Sequence, residues 1–249
     1  MTGLLRSAAG RLADLLWPRL CPAEGCGRVS DRPARHLCSR CFAVLPFHAA
    51  HGCCRICGAE VAADVRHDFV CEDCARDRPA FARARSAVRY EAPVDALLQD
   101  FKYRKATWLC ADLVDLLEGA VVAKLDPHAV DVVAPVPLHP HRLRERGYNQ
   151  SALLATELGR RLCRRVDVRS LTRVVDTPHQ ARLTEDERRR NLLSAFAVPD
   201  PRFVRGRTVL LVDDVMTSGA TLSSASRALA EAGAARVWCA TVARAVRRS

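Results

Sequence analysis

At 249 residues and 49 % hydrophobic side chains, the chain can build one large packed domain or two smaller ones. No run of roughly eighteen consecutive apolar residues occurs, which excludes a conventional membrane-spanning helix. The formal charge of +11 rests almost wholly on arginine, since only Lys102, Lys105 and Lys124 among 39 cations are lysine, and the guanidinium fork suits phosphate.

Residues 1–20 place Leu4, Leu5, Ala8, Leu12, Leu15 and Leu16 at helical spacing. Arg6, Arg11 and Asp14 interrupt the apolar run, so the segment reads as an amphipathic docking helix and not as a secretory leader. From Cys21 the character changes. Nine of the twelve cysteines fall between 21 and 74, as Cys21-x4-Cys26, Cys38-x2-Cys41, Cys54-x2-Cys57 and Cys71-x2-Cys74, with Cys53 left over. Short-spaced pairs sit on tight turns, and two such turns complete a tetrahedral thiolate site for Zn²⁺. Gly25, Gly27 and Gly58 beside the ligands let backbone approach sulfur. A disulfide framework would need an oxidising compartment. With no export signal visible, thiolates in the cytoplasm are the expectation. Pairing in sequence order gives two structural sites, 21/26/38/41 and 54/57/71/74, and makes residues 21–78 a double zinc-binding unit. His36, His48, His51 and His67 then read as surface histidines, with His51 and Cys53 the first substitute ligands.

Residues 1–85 hold 13 Arg against 9 acids, and two four-thiolate zinc sites at −2 each would cancel that excess. The remaining basicity concentrates in residues 141–190, which hold 13 Arg against 7 acids.

Residues 79–85 read as a linker, and 86–249 as a second domain. A short strand around 87–90 precedes a long helical pattern through Leu97, Leu98, Phe101, Leu109, Leu113, Leu116 and Leu117; Tyr103 within it reads as core. VDVVAPVP (130–137) is a buried parallel strand closed by Pro135 and Pro137. A helix over 149–166 has Ser151 as its cap, and strand-like VDVRSLTRVV leads into an Arg-rich polar stretch at 176–191. RTVLLVDDV is a second buried strand, the helix TLSSASRALAEAG ends at Gly233, and ARVWCATVARAV is a last strand. Strands alternating with helices imply a parallel α/β sheet covered on both faces.

One junction carries chemistry. In VLLVDDVMTSGATL (209–222) a buried strand runs into Asp213 and Asp214, then into Thr217, Ser218, Gly219, Ala220 and Thr221. In open parallel sheets ligands bind beyond the carboxyl ends of the strands. Small residues entering a helix expose successive N–H groups to an anion, while two adjacent carboxylates suit a sugar diol or Mg²⁺. Together they describe a ribose 5-phosphate.

The stretch resembles the phosphoribosyl-pyrophosphate motif of type I phosphoribosyltransferases. PVPLHPHRLRERGYNQSALLA (135–155), FKYRK (101–105), the spaced Thr177, Gln180, Leu183, Arg188 and Asn191, and the cysteine pairs resemble the ComF family, in which a double zinc ribbon precedes such a domain. Lys105 stands where the commonest form of the FKYR motif has Gly. The resemblance implies that Asp213 and Asp214 contact the ribose hydroxyls directly or through Mg²⁺. It implies further that 217–221 hold the 5-phosphate and that Pro137 and Leu138 belong to the pyrophosphate loop. Arg142, Arg144 or Arg146 would meet the leaving group, and Arg188 would close over the diphosphate from a lid. Family members are associated with DNA uptake, handling single-stranded DNA with a helicase-like partner. A non-catalytic strand-handling role, with the 141–190 arginines as a phosphate track, and a nucleotide-salvage transferase are the alternatives. No residue identifies itself as a base for an incoming nucleophile.

Overall fold

The computed structural model describes residues 18–48, 52–60, 69–175 and 195–245. Residues 1–17 of the amphipathic segment, His51, His67 and the 176–191 stretch with Arg188 lie outside these residues; Leu20, at the expected end of that helix, instead bridges Val29 as extended chain.

Each four-cysteine cluster is a pair of turns closed by a one-turn helix. Cys38 caps α1 (Ser39–Ala43), which carries Cys41, and Cys71 caps α2 (Glu72–Arg76), which carries Cys74. The two halves repeat each other. The Cys38 amide donates to Cys21 Sγ at 3.5 Å, and the Cys71 amide to Cys54 Sγ at 3.4 Å.

Beyond them, β1 (Arg83–Arg89) leads to α3 (Val94–Tyr103) and α4 (Cys110–Lys124). Lys105 between these helices has φ +56°, a left-handed turn that divides the single long helix expected here. That conformation is the one glycine adopts freely, so lysine keeps the turn at a cost. Then come β2 (Val132–Pro135), α5 (Pro140–Arg146), α6 (Gln150–Arg161), the two-residue strands β3 (Arg165–Val166), β4 (Thr172–Arg173) and β5 (Phe196–Ala197), β6 (Thr208–Met216), α7 (Ala220–Glu231) and β7 (Arg236–Arg244). Five strands form a parallel sheet in the order β1-β7-β6-β2-β3, and β4 pairs with β5 antiparallel.

Val209 to Val212 fill the middle of the sheet with side chains fully buried on both faces, as the continuous apolar run requires. One face is covered by α3, α4 and α6, and the other by α7. Each cysteine unit joins one of these cores. Leu37, Leu45 and Cys38 pack with the α4 face, whereas Ile56, Cys54 and Phe81 pack with the α7 face. Asp112 fixes the first unit to α4. It is buried, and accepts the His36 and Leu37 amides at 2.9 and 3.2 Å and an Arg32 guanidinium at 3.1 Å. Its neighbour Asp115 binds Arg35 at 2.7 Å and Arg161 at 2.6 Å.

Several expectations are corrected. Residues 79–85 are no linker: Phe81 is only 3 % exposed, the Ala82 amide donates to Val237 O, and Arg83 already pairs with β7. His48 is a buried side chain beside Glu60, not a surface one. Tyr103 is 65 % exposed, because it closes α3 on the side away from the core. The cap of α6 is Asn149, whose side chain accepts the Ser151 amide. None of the helices among the described residues is long and apolar enough to cross a membrane.

Candidate phosphate and metal sites

Parallel register puts the turn after β2 and the acids of β6 at one end of the sheet. Pro135 pairs with Val212, and the Val136 amide donates to Val212 O at 2.9 Å. Pro137 and Leu138 therefore follow at the level of Asp213 and Asp214. The Asn149 amide group holds that turn by donating to Val136 O at 3.0 Å.

The two acids have separate partners. Ser151 Oγ, on the first turn of α6, donates to Asp213 Oδ1 at 2.7 Å. Lys102, near the end of α3, places Nζ 2.8 Å from Asp214 Oδ2. Asp214 is 4 % exposed, and apart from that ammonium contact its Oδ2 has no aligned hydrogen-bond partner. A buried carboxylate oxygen left this way fits an incoming hydroxyl or a magnesium-bound water. Asp213 keeps some open surface. The protein packed around it and then the Asp214 charge nevertheless push its carboxyl up to about 7, against the hydrogen bond from Ser151. One cation for two adjacent acids leaves the site short of positive charge.

After Met216 the chain turns through 217–219 into α7. Gly219 has φ +82°, and a Cβ there would stand 2.6 Å from Met216 Cε. Only glycine makes this turn without strain. The Ala220 amide that opens this twelve-residue helix donates to Ser218 Oγ at 3.3 Å, and the N-cap Gly219 adds no side-chain hydrogen bond; Thr217, Ser218 and Ala220 are exposed, so an anion that displaces the Ser218 contact would meet hydroxyls and a helix N-terminus. The structure thus brings together Asp213, Asp214, the 217–221 loop, Pro137 and Leu138. Arg142 lies on α5, which starts two residues beyond Leu138. Arg146 is committed to Gln150 Oε1 at 2.5 Å and to the Tyr103 ring.

Sequence reading missed Ser151, assigned to a cap, and gave Lys102 little weight. Neither has a local signal: each reaches the acids from a different helix.

Within each cluster, Cys21, Cys26, Cys38 and Cys41 or Cys54, Cys57, Cys71 and Cys74, all four sulfurs lie within 4.8 Å of one another. Cys26 and Cys38 Sγ are 3.8 Å apart, and Cys57 and Cys71 Sγ 3.7 Å. A tetrahedral ion with bonds of about 2.3 Å separates its sulfurs by about 3.8 Å, so both clusters fit one metal ion each.

Residues 149–248 match the phosphoribosyl transferase domain family. Competence protein F of Haemophilus influenzae is 34 % identical over 196 residues, covering 74 % of this chain and 82 % of that protein. The chain belongs to the ComF family. Within it, the DNA utilization protein YhgH of Escherichia coli K12 is 30 % identical over 78 % of this chain and 92 % of its own. Competence protein ComFC of Bacillus subtilis is 27 % identical over 82 % of each. The cysteine units and the sheet are accordingly the two halves of one ComF-type chain, and the acids and loop of β6–α7 lie inside the matched transferase domain.

Within the described part of the basic segment, 141–175, some of the charge is already paired: Arg161 is largely covered against Asp115, Glu118 and Glu157, and Arg160 pairs with Glu157 at 2.7 Å.

Proposed function

We propose that this ComF-family chain binds phosphoribosyl pyrophosphate with Mg²⁺ and takes part in handling DNA during uptake, as a transferase-fold protein whose acceptor is not encoded in its visible site. The observation that carries the reading is the convergence of two acids, a phosphate-cradle loop and the 135–138 turn at one end of a parallel sheet.

Each part has one task. The 217–221 amides and hydroxyls hold the 5-phosphate. Asp213 and Asp214 take the ribose hydroxyls, with Ser151 and Lys102 fixing their orientation. Pro137, Leu138 and Arg142 border the diphosphate. Mg²⁺, held by Asp213 and Asp214 with the ligand, would supply the positive charge the acid pair lacks. Arg188 is assigned as the lid cation. Transfer of the ribosyl group would displace pyrophosphate at the anomeric carbon, which chiefly needs charge neutralisation and exclusion of water. Zn²⁺ in the two four-cysteine sites is structural, since four thiolates leave no open position. The cytoplasm, where thiols stay reduced, suits both sites.

A DNA role is supported by relatives named for competence and DNA utilization. Single-stranded DNA and a helicase-like competence protein are the partners that role implies. Calorimetric titration with phosphoribosyl pyrophosphate tests the binding reading. Saturable binding strengthened by Mg²⁺ and weakened at least tenfold by Gly219→Val supports it. Binding indifferent to that change would place the ligand elsewhere.

A further inference from the structure

Behind the phosphate loop lies a cavity of about 580 Å³, within the size range of sites that enclose a small organic group. The 217–220 loop is one wall, and the second cysteine unit with Phe81 is the other. Asp213 and Asp214 do not line it. The cradle therefore borders two spaces, the acid side and this cavity, whereas a terminal phosphate needs only one.

Its lining carries both charges, Arg76, Arg227 and Arg244 beside Glu60, Asp73 and Asp77. Arg227, exposed on α7, has no ion-pair partner among the described residues. The Arg244 guanidinium donates to Cys57 O at 2.6 Å and contacts the sulfurs of Met216 and Cys57, with no carboxylate among these partners. His48 is nine-tenths buried at the far wall. Its Nδ1 lies 3.0 Å from Glu60 Oε1 without hydrogen-bond alignment, and its Nε2 has no hydrogen-bond partner among the described residues. Burial lowers the readiness of this imidazole to take a proton, against the pull of Glu60, which suits an uncharged polar edge. Phe81 and Met216 supply apolar surface beside it. Two guanidinium groups, an apolar wall and a buried imidazole describe a space for a nucleotide, and with Glu60, Asp73 and Asp77 also lining it the space favours a group of low negative charge.

We propose that the cradle seats a phosphodiester at the 3′ end of a nucleotide strand, with the terminal ribose over Asp213 and Asp214 and the penultimate nucleotide in the cavity. This rests on the reading that the loop and acid pair hold a ribose 5-phosphate. Polarity follows from chemistry: the sugar over the acids presents free hydroxyls and carries the phosphate on its 5′ oxygen. It is thus the last residue of its strand, and the chain continues from the phosphate's other oxygen. Charge agrees, because a diester carries one negative charge where a terminal phosphate carries nearly two. The neighbouring acids, already short of cations, repel the diester less.

Calorimetry with three probes tests this on the full-length protein: ribose 5-phosphate, uridine 5′-phosphate, and the dinucleotide uridylyl-(3′→5′)-uridine. The dinucleotide is expected to bind at least as tightly as uridine 5′-phosphate. Arg227→Glu, an exposed change that leaves the core intact, is expected to weaken the dinucleotide at least tenfold and ribose 5-phosphate less than twofold. A dinucleotide bound more than tenfold more weakly than uridine 5′-phosphate overturns the inference while leaving the ribose 5-phosphate site standing. Equal weakening of all three probes by Arg227→Glu overturns it too. Failure of ribose 5-phosphate itself to bind overturns the site assignment, and the inference with it.

Discussion

Asp213→Asn is expected to make the unliganded protein more stable and to weaken its ligand binding. Burial and the adjacent Asp214 charge raise the Asp213 carboxyl from its ordinary 3.8 to about 7. The folded state therefore holds a proton between pH 3.8 and 7 that the unfolded chain has released. Stability falls as pH rises through that window and levels off above 7. A rise of this size corresponds to about 4 kcal/mol at most, and partial exposure of Asp213 reduces it to about 2 kcal/mol. Asparagine keeps an acceptor for Ser151 Oγ and carries no charge. The variant should therefore match the wild type near pH 4 and gain about 2 kcal/mol above pH 7, or ~4–8 °C in melting temperature for a chain of this size. Thermal unfolding in metal-free buffer at pH 4.5, 6 and 8 measures this directly. A variant less stable than the wild type at pH 8 would refute the reasoning, because the acid would then be a net structural contributor.

Lys105→Gly should raise stability by about 1 kcal/mol in denaturant titration, since Lys105 holds φ +56°. Asp112→Ala leaves the His36 and Leu37 amides and Arg32 without their acceptor; it should cost about 2–4 kcal/mol and expose the first cysteine unit to limited proteolysis. Metal-site loss should act unequally on ligand binding. Arg244 joins Cys57 to Met216, next to the phosphate loop, so Cys54→Ser should lower phosphoribosyl pyrophosphate affinity at least fivefold more than Cys21→Ser. Calorimetry and a thiol-metal stoichiometry on the same samples decide that.

The sheet and the loop were legible because each leaves a mark in a few consecutive residues. A continuous apolar run such as Val209 to Val212 has few other uses, and Thr-Ser-Gly-Ala-Thr after two acids marks a strand giving way to a helix. The cysteine pairs were legible for the same reason: their spacing is local. What escaped the reading is set by contacts far apart in sequence. Ser151 and Lys102 reach the acids from α6 and α3, and nothing in their neighbours says so. Phe81 looked like linker because an apolar residue among arginines is ambiguous until its cover is known; here that cover is the second cysteine unit and α7. His48 looked like a surface histidine, yet it is buried at that same junction. Periodicity tells which face is apolar, but not which neighbour buries it.

The central claim is that Asp213, Asp214 and the 217–221 loop form one ribose 5-phosphate site. Its most direct test is titration of phosphoribosyl pyrophosphate with Mg²⁺ into the wild type and the Asp213→Asn/Asp214→Asn double variant, after equal melting temperatures or better confirm that the variant is folded. Affinity is expected to fall at least a hundredfold in the double variant. Unchanged affinity would contradict it.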